Sequence, residues 1–253
     1  MISTVLQYNS NDLKFLKINL LQCDKFSDEI IVTICDHFYN GEKENDDLLS
    51  KSIDIINSFN KCKILNIRWE GVTEIPTYYN NLSRKTGLDS AKNDWVLFLD
   101  SDEIVDDNFK EWFQHNSSKD LCFNFTCNWY FREPFYKATQ TESAGVLIQK
   151  KDCKDWDLNS PLELKQFYQK LWDEQRLIHG DLTPILGLDG NVLLHHYSWV
   201  KNKKEMLRKV KNWSHKNDRN WDDLIEEEFS RDFNGKDFVH NYSYEIVENK
   251  FKI

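Results

Sequence analysis

The chain has 253 residues, of which 40% are hydrophobic and 14% aromatic, enough to build the core of one large α/β domain. Its formal net charge of −9 argues against a nucleic-acid-binding surface, and no apolar run approaches the roughly 20 residues that span a bilayer. Because the N-terminus does not look like a signal peptide and the six cysteines form no Cys-x-x-Cys pair, we expect a cytoplasmic protein with reduced thiols.

The first half of the chain alternates between predicted strands and predicted helices. Runs of apolar and β-branched residues predict strands over 2–7, 29–35, 63–69 and 95–99. Helical spacing of apolar residues predicts three helices, one over 13–23, one capped by Asp46, and one opened by Pro76 and interrupted by Gly87. This alternation is typical of a parallel sheet with crossover helices.

The second half follows a different pattern. Apolar residues alternate strictly over 121–131, which predicts a long strand buried on one side, and 145–149 is its expected partner. A capping box at Ser160–Glu163 predicts a helix that ends near Arg176. A strand over 192–196 and further helices, starting near residue 202 and after residue 221, complete the prediction. The chain shows no repeat and no linker long enough to mark a second independent domain.

Three carboxylates follow the fourth predicted strand within four residues: Asp100, Asp102 and Glu103. Open α/β sheets bind their ligands at the carboxyl edge, where this strand ends. Clustered carboxylates repel one another unless a cation or hydrogen-bond donors neutralise them. One interpretation is therefore a divalent-metal site with Asp102 as the ligand. The alternative is a solvated acidic turn, which aspartate-rich segments also form.

Three further positions are candidates for the same site. Asp36 follows the second strand, so its carboxylate is expected on the same sheet edge, where it can accept hydrogen bonds from a nucleoside. Arg84 precedes the fourth strand and can reach a diphosphate. His195 and His196 end a short strand and must point to opposite faces, so only one can face a site. Each also has a purely structural interpretation, as the start of a polar loop, a solvated arginine or a packed histidine.

The motifs around these residues resemble those of family 2 glycosyltransferases with the GT-A fold. In that family an arginine, a glycine and an alanine lead into an apolar strand that ends in Asp-x-Asp or Asp-x-Asp-Glu. Here the corresponding residues are Arg84–Gly87, Ala91 and Asp94–Glu103. Relatives also carry a His-Tyr-Ser-aromatic element before a lysine-rich helix, which matches His196–Lys201 and 203–213. The resemblance covers about residues 2–110 and 190–215.

The resemblance implies a role for each matched residue. Asp36 would bind the nucleoside, and Asp100 the ribose or the metal. Asp102 and His196 would be ligands of Mn²⁺ or Mg²⁺, and Arg84 would contact the nucleotide or its diphosphate. The implied fold is α/β of GT-A type: a Rossmann-like, mostly parallel central sheet flanked by helices, with a smaller mixed region on the acceptor side.

The catalytic base is the point at which the chain departs from the family pattern. Relatives often place it in a His-Glu or Glu-Asp element ahead of the C-terminal histidine, and the nearest candidate here is Asp181. Glu142 and Glu174 are weaker alternatives. The first strand also departs, because Gln7–Asn9 stands where relatives commonly carry proline or threonine before Tyr-Asn. The details of the nucleotide pocket therefore do not follow from the resemblance.

The resemblance implies a metal-dependent glycosyltransferase that moves a sugar from a nucleoside diphosphate donor, with a UDP-sugar favoured, to a hydroxyl of a glycan, lipid or protein, with inversion. Residues 1–110 would be the nucleotide-sugar-binding half of one domain, 111–200 the acceptor-side half, and 201–253 the C-terminal helices and tail. Two alternatives stay open. One is a sugar nucleotidyltransferase, although Tyr8–Leu13 lacks a glycine-rich phosphate loop. The other is a non-catalytic sugar-binding protein with the same fold.

Overall fold

One curled sheet runs through the whole molecule in the computed structural model, which describes residues 1–38, 40–72, 78–118, 122–153, 185–213 and 215–253. The strands are β1 (Ile2–Tyr8), β2 (Glu29–Cys35), β3 (Cys62–Ile67), β4 (Trp95–Asp100), β5 (Glu103–Val105), β6 (Phe123–Phe131), β7 (Glu133–Gln149), β8 (Leu194–Trp199) and β9 (Tyr244–Ile246). They lie in the order β3-β2-β1-β4-β7-β6-β8-β5, and β9 pairs with β7. The described helices are α1 (Leu13–Asp24), α2 (Asp46–Asn57), α3 (Tyr78–Ser90), α4 (Phe109–Asn116), α5 (Lys203–Lys211) and α6 (Trp221–Glu228).

The first four strands form the parallel half of the sheet. β1 pairs in parallel with both β2 and β4, and β2 pairs in parallel with β3. Apolar side chains of α1 and α2 share one core cluster with β1 and β2, whereas Leu88 of α3 belongs to a second cluster with the alternate residues of the same strands. The sheet is thus covered on both faces, which explains the continuous apolar runs. The predicted fold class, a mostly parallel α/β sheet with a smaller mixed region, is confirmed.

Two predicted details of the helices are wrong. Asn45, and not Asp46, caps α2, because the Asn45 side chain accepts a hydrogen bond from the backbone N–H of Leu48 at 2.9 Å. Gly87 does not interrupt α3 but lies inside it. A Cβ at this position would stand 2.3 Å from Cγ1 of Val5, so the glycine allows α3 to approach β1 closely.

The mixed half of the sheet differs from its prediction in β6. That strand is buried on both sides rather than one, because Tyr130 packs against Tyr197 on the face that was expected to be solvated. The partner strand β7 is also much longer than predicted and begins directly after Arg132, which turns the chain with a φ of 57°. Gly145, the predicted start, is a point of irregular register with a φ of 64°.

Other predictions concern residues that the structure does not describe. Pro76, the Ser160–Glu163 capping box, Glu174 and Asp181 all lie outside the described residues. In the described part, the C-terminal helices α5 and α6 pack with β6 and β8 in a separate aromatic core. None of the helices in that part is both long and apolar enough to cross a membrane.

Candidate active site

The acidic turn between β4 and β5 is held in a fixed shape. The backbone N–H of Asp100 donates to the Glu103 carboxylate at 2.9 Å, and the side-chain amide of Asn19 donates to the Glu103 carbonyl at 2.8 Å. The N–H of Tyr197 donates to the Asp102 carbonyl at 2.8 Å. The turn is therefore tied to α1 and β8 and is not a free solvated loop. This outcome favours a built site over the acidic-turn alternative.

Asp100 and Arg84 meet at the edge of this turn. Arg84 extends from α3 and donates through Nη2 to Oδ1 of Asp100 at 2.9 Å. The arginine side chain is 11% exposed and the carboxylate 41%, so the pair is open to solvent on the aspartate side. The close packing of Gly87 on Val5 holds α3 against β1, the strand that pairs with β4. Two residues that the sequence pattern placed near one ligand are thus in direct contact.

Asp102 lies deeper and faces two cationic groups. Its Oδ1 is 3.4 Å from Nε2 of His196, and its Oδ2 is 3.5 Å from Nζ of Lys209. Burial alone would raise the pKa of Asp102, but the Lys209 ammonium and the His196 imidazole outweigh burial and hold that pKa well below its ordinary value. Burial alone would lower the pKa of His196, yet its hydrogen bonds to Asp102 and Cys127 raise it well above the ordinary value. Asp102 is therefore ionised beside a protonated His196.

Glu103, in contrast to Asp102, has a neutral carboxyl group. It is buried and lies directly across from His196 in the β5–β8 ladder. Burial, followed by the nearby charge of Asp100, raises the pKa of Glu103 to about 8. The protonated form therefore dominates at neutral pH. Neighbouring carboxyl groups in this turn thus carry different charges because their surroundings differ.

A second buried lysine completes the base of the site. Nζ of Lys201 lies 2.6 Å from Oδ1 of Asp12 and donates to the carbonyl of Asn11 at 3.2 Å. The other oxygen of Asp12 accepts a hydrogen bond of 3.0 Å from the hydroxyl of Ser101. The turn is therefore connected through Asp12 to the segment after β1. A buried ion pair of this kind depends on both partners, because removing one leaves a charge in a dry environment.

Lys201 and Lys209 were not among the predicted site residues. A signal was present for Lys209, which lies three residues after Met206 and four before Trp213, on the face of α5 that carries the apolar side chains. A lysine on a buried helical face needs an anionic partner. That partner is Asp102, more than 100 residues away, so sequence spacing gave no indication of it.

A row of stacked rings lies at the ends of β2 and β3 and at the start of α3. Trp69 is stacked between His37, with ring centroids 5.1 Å apart, and Tyr79, with centroids 4.4 Å apart. Asp36 accepts a hydrogen bond of 2.8 Å from Nδ1 of His37, and its own side chain is 61% exposed. Asp36 thus presents a solvent-accessible carboxylate beside flat aromatic surfaces. Planar ligands pack favourably on such rings.

A cleft opens beside these rings. Its lining comes from the ends of β1 and β2, from α3 and from the end of α5: Gln7, Tyr8, Asn9, Asn11, Cys35, His37, Phe38, Tyr79, Ser83 and Asn212. Asn212 is 6% exposed, and its Nδ2 donates to the carbonyl of Arg208 at 3.3 Å, which identifies the other amide atom as the oxygen. Within the described residues this Oδ1 has no hydrogen-bond partner. The cleft therefore offers a buried acceptor to a ligand that carries an N–H or O–H group.

Four of the six predicted site residues lie in direct pairs, Arg84 with Asp100 and Asp102 with His196. Asp36 lies on the same edge of the sheet, since β1 alone separates β2 from β4. The sixth residue, Asp181, lies outside the described part of the chain.

The similarity of this chain to known proteins lies in its structure. No protein-family model matches the chain, and no curated protein matches it. Among solved structures, the crystal structure of S. aureus TarS 1–349 is 15% identical and covers 90% of this chain and 70% of its own, with a TM-score of 0.41. The crystal structure of the same protein in complex with UDP is 14% identical and covers 91% and 72%, with a TM-score of 0.45. At these values the functional assignment depends on the geometry of the site.

Proposed function

We propose that the protein is a glycosyltransferase that moves a sugar from a nucleoside diphosphate donor to a hydroxyl acceptor. The observation that carries the proposal is the meeting of two features at one sheet edge. An aromatic cleft with Asp36 beside it opens at the ends of β1 and β2, and the Asp100–Glu103 turn with its cations follows β4. A nucleotide sugar needs both, because it has a flat base at one end and a charged diphosphate next to the sugar.

The cleft offers contacts to one edge of the nucleoside part of the donor. The ring of His37, whose side chain is 25% exposed, provides a stacking surface. The oxygen of Asn212, which has no partner among the described residues, can accept a hydrogen bond from a base N–H. The exposed carboxylate of Asp36 can accept a second one. Uracil offers such an N–H, and we retain a UDP-sugar as the favoured donor. The proposed contact of Arg84 with the diphosphate follows from its planar fork of donors at the same edge.

The residues of the turn fit a divalent cation when two protein ligands are supplemented by the donor. Two ligands of one ion, each about 2.1 Å from it, can lie up to about 4.2 Å apart. The 3.4 Å between Asp102 Oδ1 and His196 Nε2 is within this span. No group of three or more His, Cys, Asp or Glu side chains in the described residues could hold an ion, so diphosphate oxygens would complete the coordination. Asp102 and His196 would therefore hold Mn²⁺ or Mg²⁺. Because a metal binds the neutral imidazole, the ion would displace the Nε2 proton of His196.

A bound divalent ion would neutralise the charge that grows on the leaving diphosphate. The side chains of this protein add to that effect. The Lys209 ammonium lies beside Asp102, and Arg84 lies beside Asp100, so the region in which the diphosphate would lie is bordered by fixed positive charge. The inverting outcome and a cytoplasmic location remain predictions that accompany this proposal.

The first test is calorimetric titration of the protein with UDP, GDP and dTDP, with and without Mn²⁺. The proposal expects one nucleotide, UDP in the first instance, to bind with an affinity that rises when Mn²⁺ is added. Binding of none of the three in either condition would count decisively against it. Metal-independent binding would leave the nucleotide site in place and remove the metal assignment alone.

A second measurement separates the proposal from its two alternatives. The protein is incubated with UDP-glucose, UDP-N-acetylglucosamine and GDP-mannose, and free UDP or GDP is measured. A glycosyltransferase releases the nucleoside diphosphate, by transfer or by slow hydrolysis of the donor. A nucleotidyltransferase instead releases nucleoside triphosphate when pyrophosphate is supplied, and a binding protein releases neither.

A further inference from the structure

One face of the mixed half of the sheet carries a row of side chains that leads away from the turn. Directly paired residues of neighbouring strands point to the same face. Glu103 of β5 pairs with His196 of β8, and His196 pairs with Trp129 of β6. Cys127, two residues before Trp129 on β6, pairs with Glu142 of β7. Glu142 therefore lies on the same face as His196 and Glu103, at the other end of this row.

The carboxylate of Glu142 is anchored through one oxygen. Oε1 accepts a hydrogen bond of 2.9 Å from the hydroxyl of Tyr242 and lies 3.5 Å from Nε2 of His240. No hydrogen bond from the described residues reaches Oε2. The side chain is 24% exposed, so this oxygen is accessible to a ligand. A carboxylate with one oxygen fixed and the other available is the arrangement that proton abstraction from a hydroxyl requires.

The loop between α6 and β9 supplies these two partners. Asp237, which is 3% exposed, accepts hydrogen bonds from the backbone N–H groups of His240 and Tyr242. The rings of His240 and Tyr242 are stacked with centroids 5.1 Å apart, and both are partly exposed. The ring of Trp129 contacts His240 on one side and His196 on the other, with centroids 4.8 Å apart in both cases. The loop thus adjoins both Glu142 and the candidate metal ligand His196.

We infer that Glu142 is the catalytic base and that the acceptor sugar packs on the His240–Tyr242 ring pair. The inference rests on the proposed function and adds the location of the acceptor to it. Sugar rings present C–H faces that pack on aromatic surfaces, and their hydroxyl groups then lie beside the carboxylate. Asp181, the base that the family resemblance suggests, is the competing assignment.

The proton and electron balance of the step is simple. Oε2 of Glu142 takes the proton of one acceptor hydroxyl, and the oxygen of that hydroxyl forms a bond to the anomeric carbon of the donor sugar. The bond between that carbon and the diphosphate oxygen breaks, and the diphosphate leaves with the electron pair. The step thus consumes no further reagent, and the proton is later released from Glu142 to water.

Glu142 has a structural alternative, in which it only fastens the Asp237 loop to β7. The variant E142Q separates the two roles, because the amide oxygen still accepts from Tyr242 but the side chain cannot take a proton. Transfer is measured with UDP-glucose and UDP-N-acetylglucosamine against a panel of p-nitrophenyl glycosides, with Mn²⁺ present. We expect E142Q to lose about 10²- to 10⁴-fold in transfer rate, the usual contribution of a general base. Its UDP affinity should stay within about twofold of the wild type.

A matched control comes from β9, the strand that pairs with β7. Glu245 of β9 lies 2.6 Å from Lys137 of β7 and has a side chain that is 51% exposed. The variant E245Q should transfer at the wild-type rate. The variant Y242F removes the donor to Oε1 but keeps the carboxylate, so we expect a loss that is smaller than that of E142Q.

The outcomes distinguish this inference from the proposed function. Transfer by E142Q at the wild-type rate would overturn the role of Glu142 and leave the proposed function intact. Absence of UDP binding by the wild-type protein would remove the proposed function, and the inference with it. Wild-type protein that binds UDP but transfers to no acceptor in the panel would count against both.

Discussion

Two adjacent histidines of β8 form similar pairs that have opposite surroundings. His196 lies 3.4 Å from Asp102 on one face of the sheet, and His195 lies 2.9 Å from Asp106 on the other. The pKa of His196 is raised well above its ordinary value by Asp102 and Cys127, which outweigh burial. The pKa of His195 is lowered, because burial outweighs the same kind of aspartate partner. The imidazole of His196 is therefore charged, whereas that of His195 is neutral.

The difference follows from what surrounds each pair. His195 is closed in by Tyr130, whose hydroxyl lies 2.8 Å from Nδ1, and by the ring of Phe251 from the C-terminal tail. Lys250 of the same tail binds Asp106. His196 instead borders the acidic turn and the ring of Trp129. Neighbours on each face, and not the histidine–aspartate pair itself, therefore decide the charge of the imidazole: one pair fastens the C-terminal tail, and the other belongs to the site that we propose.

The largest expected effect is a loss of activity when Asp102 is changed that does not occur when Asp106 is changed. D102N keeps the size of the side chain but removes the charge that would hold a cation and balance Lys209. Removing one preorganised electrostatic contact at a reacting centre costs about 10²- to 10³-fold in rate, so we expect nucleotide release to fall by that factor. D106N on the opposite face should keep its rate per folded molecule. The measurement is UDP release from a UDP-sugar, with circular dichroism to establish that both variants fold.

Equal losses of activity in the two variants would contradict the assignment of the faces. Unfolding of D102N would imitate the expected loss of activity, and for this reason the thermal midpoint of each variant is measured beside its rate. A fully active D102N with normal stability would remove Asp102 from the site.

The next effect concerns the tail that covers the His195 pair. Phe251 is 9% exposed, with its ring centroid 5.2 Å from that of His195 and 6.4 Å from that of Tyr197. Truncating a buried phenylalanine costs about 3 kcal/mol of stability. We expect F251A to lower the free energy of unfolding by that amount in urea titrations. Its UDP affinity should stay unchanged, because the tail packs on the face opposite His196.

The contribution of the His195–Asp106 pair to the free energy of unfolding should also depend on pH. The His195 and Lys250 hydrogen bonds outweigh burial and lower the pKa of Asp106. A carboxyl whose pKa is lower in the folded state contributes stability that is present above its unfolded value, about 3.9, and is lost as the pH falls below it. D106N should therefore be about 2 kcal/mol less stable than the wild type at pH 7. This difference should shrink progressively in urea titrations below about pH 4.

A difference between wild type and D106N that stays constant from pH 7 to pH 3 would mean that the charge of Asp106 contributes nothing. F251A provides the control here, because its loss is due to packing. Its effect relative to the wild type should therefore vary much less over the same pH range.

Much of the parallel half was predictable from local patterns, and the mixed half was less so. β2 has the bounds that its apolar and β-branched run indicated, because it is buried on both faces between two other strands. β5 and β9 have three residues each, too few for any periodicity to reveal them. The length of β7 was hidden by Gly145, which marked a local irregularity of register and not the beginning of the strand.

The same distinction applies to the candidate site. Asp100 and Asp102 were predictable because they follow directly on a buried strand, and Arg84 because it belongs to the same local motif. The contacts of Lys209 with Asp102 and of Tyr242 with Glu142 join residues about 100 positions apart. Such contacts depend on how the curled sheet brings β5, β7 and β8 together. A single sequence does not encode that arrangement in any periodic pattern.

The smallest effect concerns the edge of the site, where the buried Arg84 meets the half-exposed Asp100. The variant R84Q removes the planar fork of donors that we propose contacts the diphosphate. Charge-assisted hydrogen bonds of this kind contribute about 1.4 kcal/mol or more, so we expect UDP to bind about tenfold more weakly in calorimetric titration. K85Q is the matched control, since Lys85 is the next residue of α3 and pairs with Asp89 within the helix at 2.6 Å. An equal loss in both variants would indicate a general effect of positive charge on α3, because only a specific contact distinguishes Arg84 from its neighbour.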